Sequence, residues 1–418
     1  MRLLEGRRLG AVVGVLNQGV ISLANLGIGL AVLRLGTKAE FGVYSLGYMA
    51  VIIATGFAAG LFGAQLTARV YHRAPTERPR FAAALLLGQT VASALLCLVM
   101  LAAALAAGLA TPPGSGTATQ QTVFLSILAA PMAMTLDFLR YHRLVLHRPA
   151  EALGLDIVNG LGWAGFFVAG LALGMPVHVA GLGGFGIACA VTSLLGLWGA
   201  RLPLAAARRQ CGAALAEAWQ QGRWALGGVA VTVAQNNAHV YLLAWLTSAE
   251  TVAELNAARM LMSPAALLTT GVNRTLIPRL AVLHAEGQGA RLRRLAGEAV
   301  LLVLVLLVLY GIALLLGWDA VRALVLRDAY AGVGVLMVGW GLVYALQALT
   351  ENLSAQLQAR AEFRALTVLN AITALPVLIA VVPLILWAGA AGSLIALACG
   401  QAVLAALLYR VVTASADR

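Results

Sequence analysis

The sequence predicts an all-α polytopic membrane protein of about twelve transmembrane helices in two six-helix bundles related by a parallel pseudo-two-fold repeat. Three observations carry this expectation. The chain of 418 residues is 61% hydrophobic and only 11% charged, a balance no ordinary soluble domain has. Aliphatic runs long enough to cross a bilayer recur from end to end, separated by short basic segments. A β-barrel would instead show ten-residue alternating strands. Finally, the basic segments alternate with poorly charged ones, as successive crossings require.

The predicted spans lie near 10–33, 41–67, 81–109, 122–141, 150–174, 181–200, 224–247, 254–277, 295–317, 331–357, 365–388 and 391–412. The first is preceded by Arg2, Arg7 and Arg8 but runs on to Arg34 with no small-residue cleavage site, so it reads as an uncleaved span. With the N-terminus assigned to the cytoplasm, all but five of the 28 Lys and Arg residues fall on the cytoplasmic side. The five are Arg34, Lys38, Arg259, Arg322 and Arg327. The positive-inside rule therefore predicts that both termini are cytoplasmic. The net charge of +12 is accounted for by orientation and lipid headgroups, and no nucleic-acid partner is expected.

The outer connections, including 110–121 and 317–330, are too short for a folded domain. The longest inner connection, 201–223, reads as a cytoplasmic amphipathic linker between an N-terminal lobe (1–200) and a C-terminal lobe (224–418). Cys97, Cys189, Cys211 and Cys399 are scattered, so neither disulfide nor metal site is expected. There is no P-loop, H-E-x-x-H or G-x-S-x-G, and the chain is expected to be neither an enzyme nor a cofactor carrier.

The stretch from Leu226 to Leu246 is long enough to span yet carries a polar stripe. Thr232, Gln235, Asn236 and His239 fall at i, i+3, i+4 and i+7, on one helical face, with Asn237 beside them. In lipid such a face is costly, so it is expected to look into protein or a wet cavity. The two halves echo each other here. Thr37-Lys38-Ala39-Glu40-Phe41 and Thr251-Val252-Ala253-Glu254-Leu255 both read as T-x-A-E capping boxes, 214 residues apart. The same offset carries Gln18 to Thr232, Ser22 to Asn236 and Asn25 to His239, so the polar face of the first span maps onto that of the seventh.

The segment L-R-L-G-T-K-A-E-F-G-V-Y-S-L-G-Y-M (33–49) resembles the G-x-x-E-(Y/F)-G-x-Y signature of bacterial oligosaccharide and polysaccharide flippases, of the O-antigen and exopolysaccharide transporter type. These belong to the multidrug/oligosaccharidyl-lipid/polysaccharide exporter superfamily. Residues 255–281, with Pro264 and Pro278, are similar to that family's eighth helix. The resemblance implies two lobes around a central cavity lined by spans 1, 2, 7 and 8. It implies as cargo a polyprenyl-pyrophosphate-linked oligosaccharide, moved from the inner to the outer leaflet and often reset by a cation gradient. It implies a bacterial inner membrane location, with membrane lipids and the pathway's glycosyltransferases or polymerase as partners.

Within that frame, Arg34, Arg259 and Arg274 are candidate pyrophosphate ligands, because a guanidinium offers a planar fork of N–H donors. Arg259 lies inside a span, where a charge needs water or a partner; the alternatives are snorkelling and pairing with Glu254. Arg274 could equally belong to the inner basic collar. Gln18, Ser22, Asn25, Thr232, Gln235, Asn236 and His239 are candidate sugar-binding walls, or else interhelical hydrogen-bonding groups. His239 is also a candidate proton-coupling group. Glu351 heads a second stripe with Gln347, Ser354 and Gln358, which reads either as a cation site or as a wet vestibule. Asp137 with Arg140, and Asp156 with Asn159, read as structural i, i+3 pairs. Trp245, Trp318 and Trp387 read as interfacial anchors.

Two other functions compete. A drug or cation antiporter of the same fold would want a carboxylate in the central cavity, and spans 1, 2, 7 and 8 have none near their middles. A polytopic glycosyltransferase or polymerase would want a sizeable outer loop, which is lacking.

Overall fold

The computed structural model describes residues 2–326, 330, 332–360 and 362–414, with side chains for all of these except 2–15, 18, 68, 221, 224, 225, 268, 270, 274, 275, 278 and 363. Among the described residues the chain is helical from end to end, without strands. In order come α1 (Arg2–Leu35), α2 (Lys38–His72), α3 (Arg78–Ala106), α4 (Ala118–Val145), α5 (Pro149–Ala172) and α6 (Val177–Ala200). There follow α7 (Cys211–Leu246), α8 (Ala249–Ala285), α9 (Gly289–Leu316) and α10 (Val333–Ala359). Phe363–Ala414 is broken at Ala388 and at Gly389, whose φ of 55° suits only glycine, into α11 (363–387) and α12 (390–414). These twelve helices are the twelve predicted spans. Eight helices of the described residues are long and apolar enough to cross a membrane, one of them covering both α11 and α12.

The chain divides into two compact units, Met1–Ala230 and Val231–Arg418. Corresponding helices pair alike in each. In the first unit α2 packs on α4, α3 on α4, and α4 on α6; in the second, α8 packs on α10, α9 on α10, and α10 on the α11–α12 pair. Apolar side chains point outward, as on α9, where Leu301, Leu302, Leu309 and Leu316 are all exposed. Polar side chains turn inward: Gln89, Ser93, Thr122, Ser126 and Thr135 are buried within the first unit. That inversion of the soluble pattern is what a lipid solvent demands, because only other helices can satisfy a polar group there.

Two local findings differ from expectation. The predicted linker does not stay apart from the bundle. Its second half is the start of α7, and Ala214 and Ala218, one turn apart, are buried with Phe62, Leu66, Phe81, Leu85 and Phe138. Glu217 on the same stretch pairs with Arg69 and, at 3.2 Å, with Arg73. The cap of α8 is also corrected. Ser248, extended at φ −156° and ψ 167°, accepts from Thr251 N at 3.3 Å. Thr251 is therefore the third helical residue rather than the cap, because an earlier hydroxyl captures the free N–H groups first. Only Thr37 makes the full capping box with Glu40 of the two predicted.

Close helix contact in the first unit depends on Gly47 of α2. A Cβ there would lie 2.5 Å from Thr122 Cγ2 and 2.6 Å from Ser126 Oγ of α4. Gly47→Val is expected to pry α2 from α4 and destabilise the fold by about 1–3 kcal/mol. A melting curve of the purified protein in detergent checks this, with Gly27→Ala, where no atom lies within 4 Å of the added carbon, as the silent control.

Candidate functional site

In the first unit the polar face of α1 meets an aromatic cluster. The Tyr48 hydroxyl donates to Asn25 Oδ1 at 2.6 Å. The Tyr48 ring stacks on Trp163 of α5 at 5.6 Å, meets Phe185 of α6 edge-on at 5.3 Å, and has Tyr44 stacked 6.1 Å away. Trp163 is fixed in turn by donating its indole N–H to Gly181 O at 2.8 Å. Asn25 is thus held by a rigid aromatic wall. Ser22, one turn earlier, is half-buried, and Arg34 is exposed in the last turn of α1, where a cation complements the helix dipole. The side chain of Gln18 lies outside the described residues.

The same unit contains two charged clusters. Arg140 of α4 pairs with Asp137 at 3.2 Å and with Asp156 of α5 at 2.7 Å, and Asn17 of α1 lies beside Asp156. The predicted Asp156–Asn159 pair is replaced by this link between helices, and Asn159 Oδ1 is buried without a partner. A guanidinium reaches across to a neighbouring helix; a short Asn side chain one turn away does not. Where α2, α4 and α6 begin, Glu40 does two jobs. One carboxylate oxygen closes the Thr37 cap at 2.9 Å, and the other lies 3.2 Å from both Val177 N and His178 Nδ1. His178 Nε2 in turn lies 3.2 Å from Gln121 Oε1. The acidic residue of the 33–49 motif therefore ties α2 to the start of α6.

In the second unit the α7 stripe splits. Thr232 and Asn236 are exposed, Gln235 is half-buried, Asn237 donates to Val233 O at 3.2 Å, and His239 is only 3% exposed. Both His239 ring nitrogens are buried without a hydrogen-bond partner. Its ring lies 6.2 Å from Trp340 of α10. Arg259 of α8 sets its guanidinium over the same indole, 5.3 Å from the ring centre, beside the Tyr344 hydroxyl. Trp340 donates to Leu255 O at 3.0 Å and packs on Tyr344 at 5.5 Å. Among the described residues Arg259 has no carboxylate partner, so the pairing with Glu254 is not made. A cation–π contact is worth about 0.5–2 kcal/mol and itself uses none of the guanidinium N–H groups, one of which hydrogen-bonds the Tyr344 hydroxyl. The side chain of Arg274 lies outside the described residues.

Glu351 faces α8. Its two oxygens accept from Asn273 Nδ2 at 2.9 Å and Gln347 Nε2 at 3.2 Å, with no cationic partner among the described residues. Ser354 and Gln358 continue the half-buried stripe. No group of three or more metal-ligating side chains occurs among the described residues.

Sequence reasoning missed Tyr48, Trp163, Trp340, Tyr344 and Asn273. Aromatic residues in apolar runs read as filling or anchoring, and Trp245 and Trp387 are indeed exposed, at 79% and 77%. The signal that could have separated Trp163 and Trp340 is their position at mid-span instead of at a span end.

Arg140→Gln is expected to leave Asp156 buried without a cation and to cost about 3–5 kcal/mol, while Arg140→Gln with Asp156→Asn recovers most of that loss. Thermal unfolding of the single and double variants in detergent checks the coupling.

No protein-family model and no curated protein sequence matches the chain. Solved structures do. An inward closed structure of the lipid II flippase MurJ has a TM-score of 0.74 at 11% identity, covering 97% of this chain and 87% of its own. An inward-facing multidrug resistance MATE family transporter of the MOP superfamily has a TM-score of 0.69 at 15% identity, covering 95% of this chain and 94% of its own. A MOP superfamily transporter from Pyrococcus furiosus has a TM-score of 0.64 at 15% identity, covering 99% and 95%. At such identities it is the fold that is shared: the chain has the twelve-helix architecture of these membrane transporters.

Proposed function

We propose that the chain is a transporter that carries a polyprenyl-pyrophosphate-linked oligosaccharide from the inner to the outer leaflet by alternating access, coupled to an ion gradient. The observation that carries this reading is Arg259, a guanidinium inside an apolar helix, held by Trp340 and without a carboxylate partner among the described residues. An uncompensated guanidinium in such a setting suits an anion, and its planar fork suits phosphate oxygens. Beside it, His239 offers a buried imidazole with both nitrogens unused. A buried polar group without a partner gains more from a new hydrogen bond than one already paired. Arg34 and Arg274 are the further pyrophosphate ligands in this reading. Thr232, Gln235 and Asn236 in one unit, and Gln18, Ser22 and Asn25 in the other, serve the sugar hydroxyls. Glu351, wrapped by two neutral amides, is the coupling group. The cargo and membrane lipids are the expected partners, together with the pathway's glycosyltransferases or polymerase. A bacterial inner membrane with both termini in the cytoplasm is the expected setting.

A second reading is a drug or cation antiporter. Glu351 favours it, since a half-buried carboxylate without a cationic partner could hold a cationic cargo as well as a coupling ion. The solved MATE transporters of the same fold agree with it equally well.

Purified protein in vesicles, supplied with a defined lipid-linked sugar and an imposed ion gradient, separates the two. Translocation is expected in the wild type. It is expected to fall at least tenfold in Arg259→Ala, as loss of a charge-assisted hydrogen bond worth about 1.5–3 kcal/mol requires, with expression unchanged. Glu351→Gln is expected to keep cargo binding but lose the dependence on the gradient. Drug efflux without any sugar translocation would establish the antiporter instead.

A further inference from the structure

Away from every residue invoked above, the first unit has a cavity of about 350 Å³ lined by Arg148, Trp198, Gly199, Ala200 and Arg201. It lies where the α4–α5 turn meets the end of α6, on the arginine-rich end of the unit. We propose that this cavity binds the phosphate of an anionic membrane lipid, at a site separate from the transported cargo.

Its chemistry is cationic. Arg148 and Arg201 line it directly. A third guanidinium, Arg143, stands behind Gly199: a Cβ at Gly199 would lie 3.4 Å from Arg143 Nη2. Arg143 is 4% exposed, donates to Gly196 O at 3.1 Å, and keeps a buried Nε without a partner. Glu151 pairs with both Arg143 and Arg148 at 3.2 Å. Three guanidiniums against that one carboxylate leave the cavity strongly positive, as a phosphate requires.

Its backbone is held at a cost. Arg201 closes α6 in the left-handed region, at φ 47° and ψ 38°, where glycine is the usual residue. An arginine kept in that conformation adds a charge to the cavity wall that glycine would not supply. Its surroundings favour a lipid over a free ion. Trp198, 83% exposed, stands at the rim, the position of an interfacial indole. Val191, Leu194 and Leu195 continue from it along α6 as an exposed apolar strip on which an acyl chain can lie. Basic pockets between helices, next to such strips, are suited to acidic headgroups.

Arg201→Gly fits the left-handed backbone, so the variant is expected to fold with an unchanged or higher melting temperature in detergent. The full chain is titrated with phosphatidylglycerol and followed by native mass spectrometry. Wild type is expected to retain it, Arg201→Gly to bind about fivefold more weakly, and Arg148→Gln with Arg201→Gly about twenty-fivefold more weakly. Phosphatidylcholine is expected not to bind in this way, and millimolar inorganic phosphate not to displace the lipid. Equal retention of phosphatidylglycerol by wild type and double variant, or equal retention of phosphatidylcholine by wild type, overturns the proposal. Displacement by inorganic phosphate alone reassigns the site to a free ion.

Discussion

A charge placed inside an apolar helix must be neutralised, solvated or used, because the surrounding hydrocarbon offers nothing to replace water. This chain deals with its intrahelical charges in three ways. Arg140 is neutralised by Asp137 and Asp156 and joins α4 to α5. Glu351 is hydrogen-bonded by amides of two helices and has no cationic partner among the described residues. Arg259 rests on an aromatic face and leaves its donors unspent on any carboxylate there. The first joins two helices by opposite charges; the other two have no opposite charge beside them among the described residues.

The motif at 33–49 gains a physical meaning from the same constraint. Glu40 caps its own helix and reaches the start of α6, where it meets a backbone N–H and an imidazole. Two helix N-termini present unpaired N–H groups and positive partial charge, so one carboxylate can satisfy both. Tyr44 and Gly47 of the motif face the contacts with α6 and α4: a Cβ at Gly181 would meet the Tyr44 ring at 3.0 Å. The resemblance therefore rests on residues that assemble the first unit, and it carries information about fold before it carries any about cargo.

α7 is shared between the two units, with its first part buried in the core of one and its last part contributing His239 to the other. Its 36 residues run unbroken from Cys211 to Leu246. The charged contacts of Glu217 with Arg69 and Arg73 fix the end that lies in the first unit.

The number of helices, their approximate bounds and the duplication into halves were legible in the sequence, because length, hydropathy and the alternation of arginines record the crossing of a bilayer directly. So was the capping box at Thr37, which is a purely local device. Partner choice was not legible. Asp156 joins Arg140 instead of Asn159, Arg259 joins Trp340 instead of Glu254, and the α7 stripe divides into an exposed edge and a buried imidazole. A helical wheel states which residues share a face, but which neighbouring helix that face meets, and at what height, depends on packing between segments far apart in the chain. Burial of Trp163 and Trp340 follows from that packing alone, and it is the packing that gives scattered polar residues their partners.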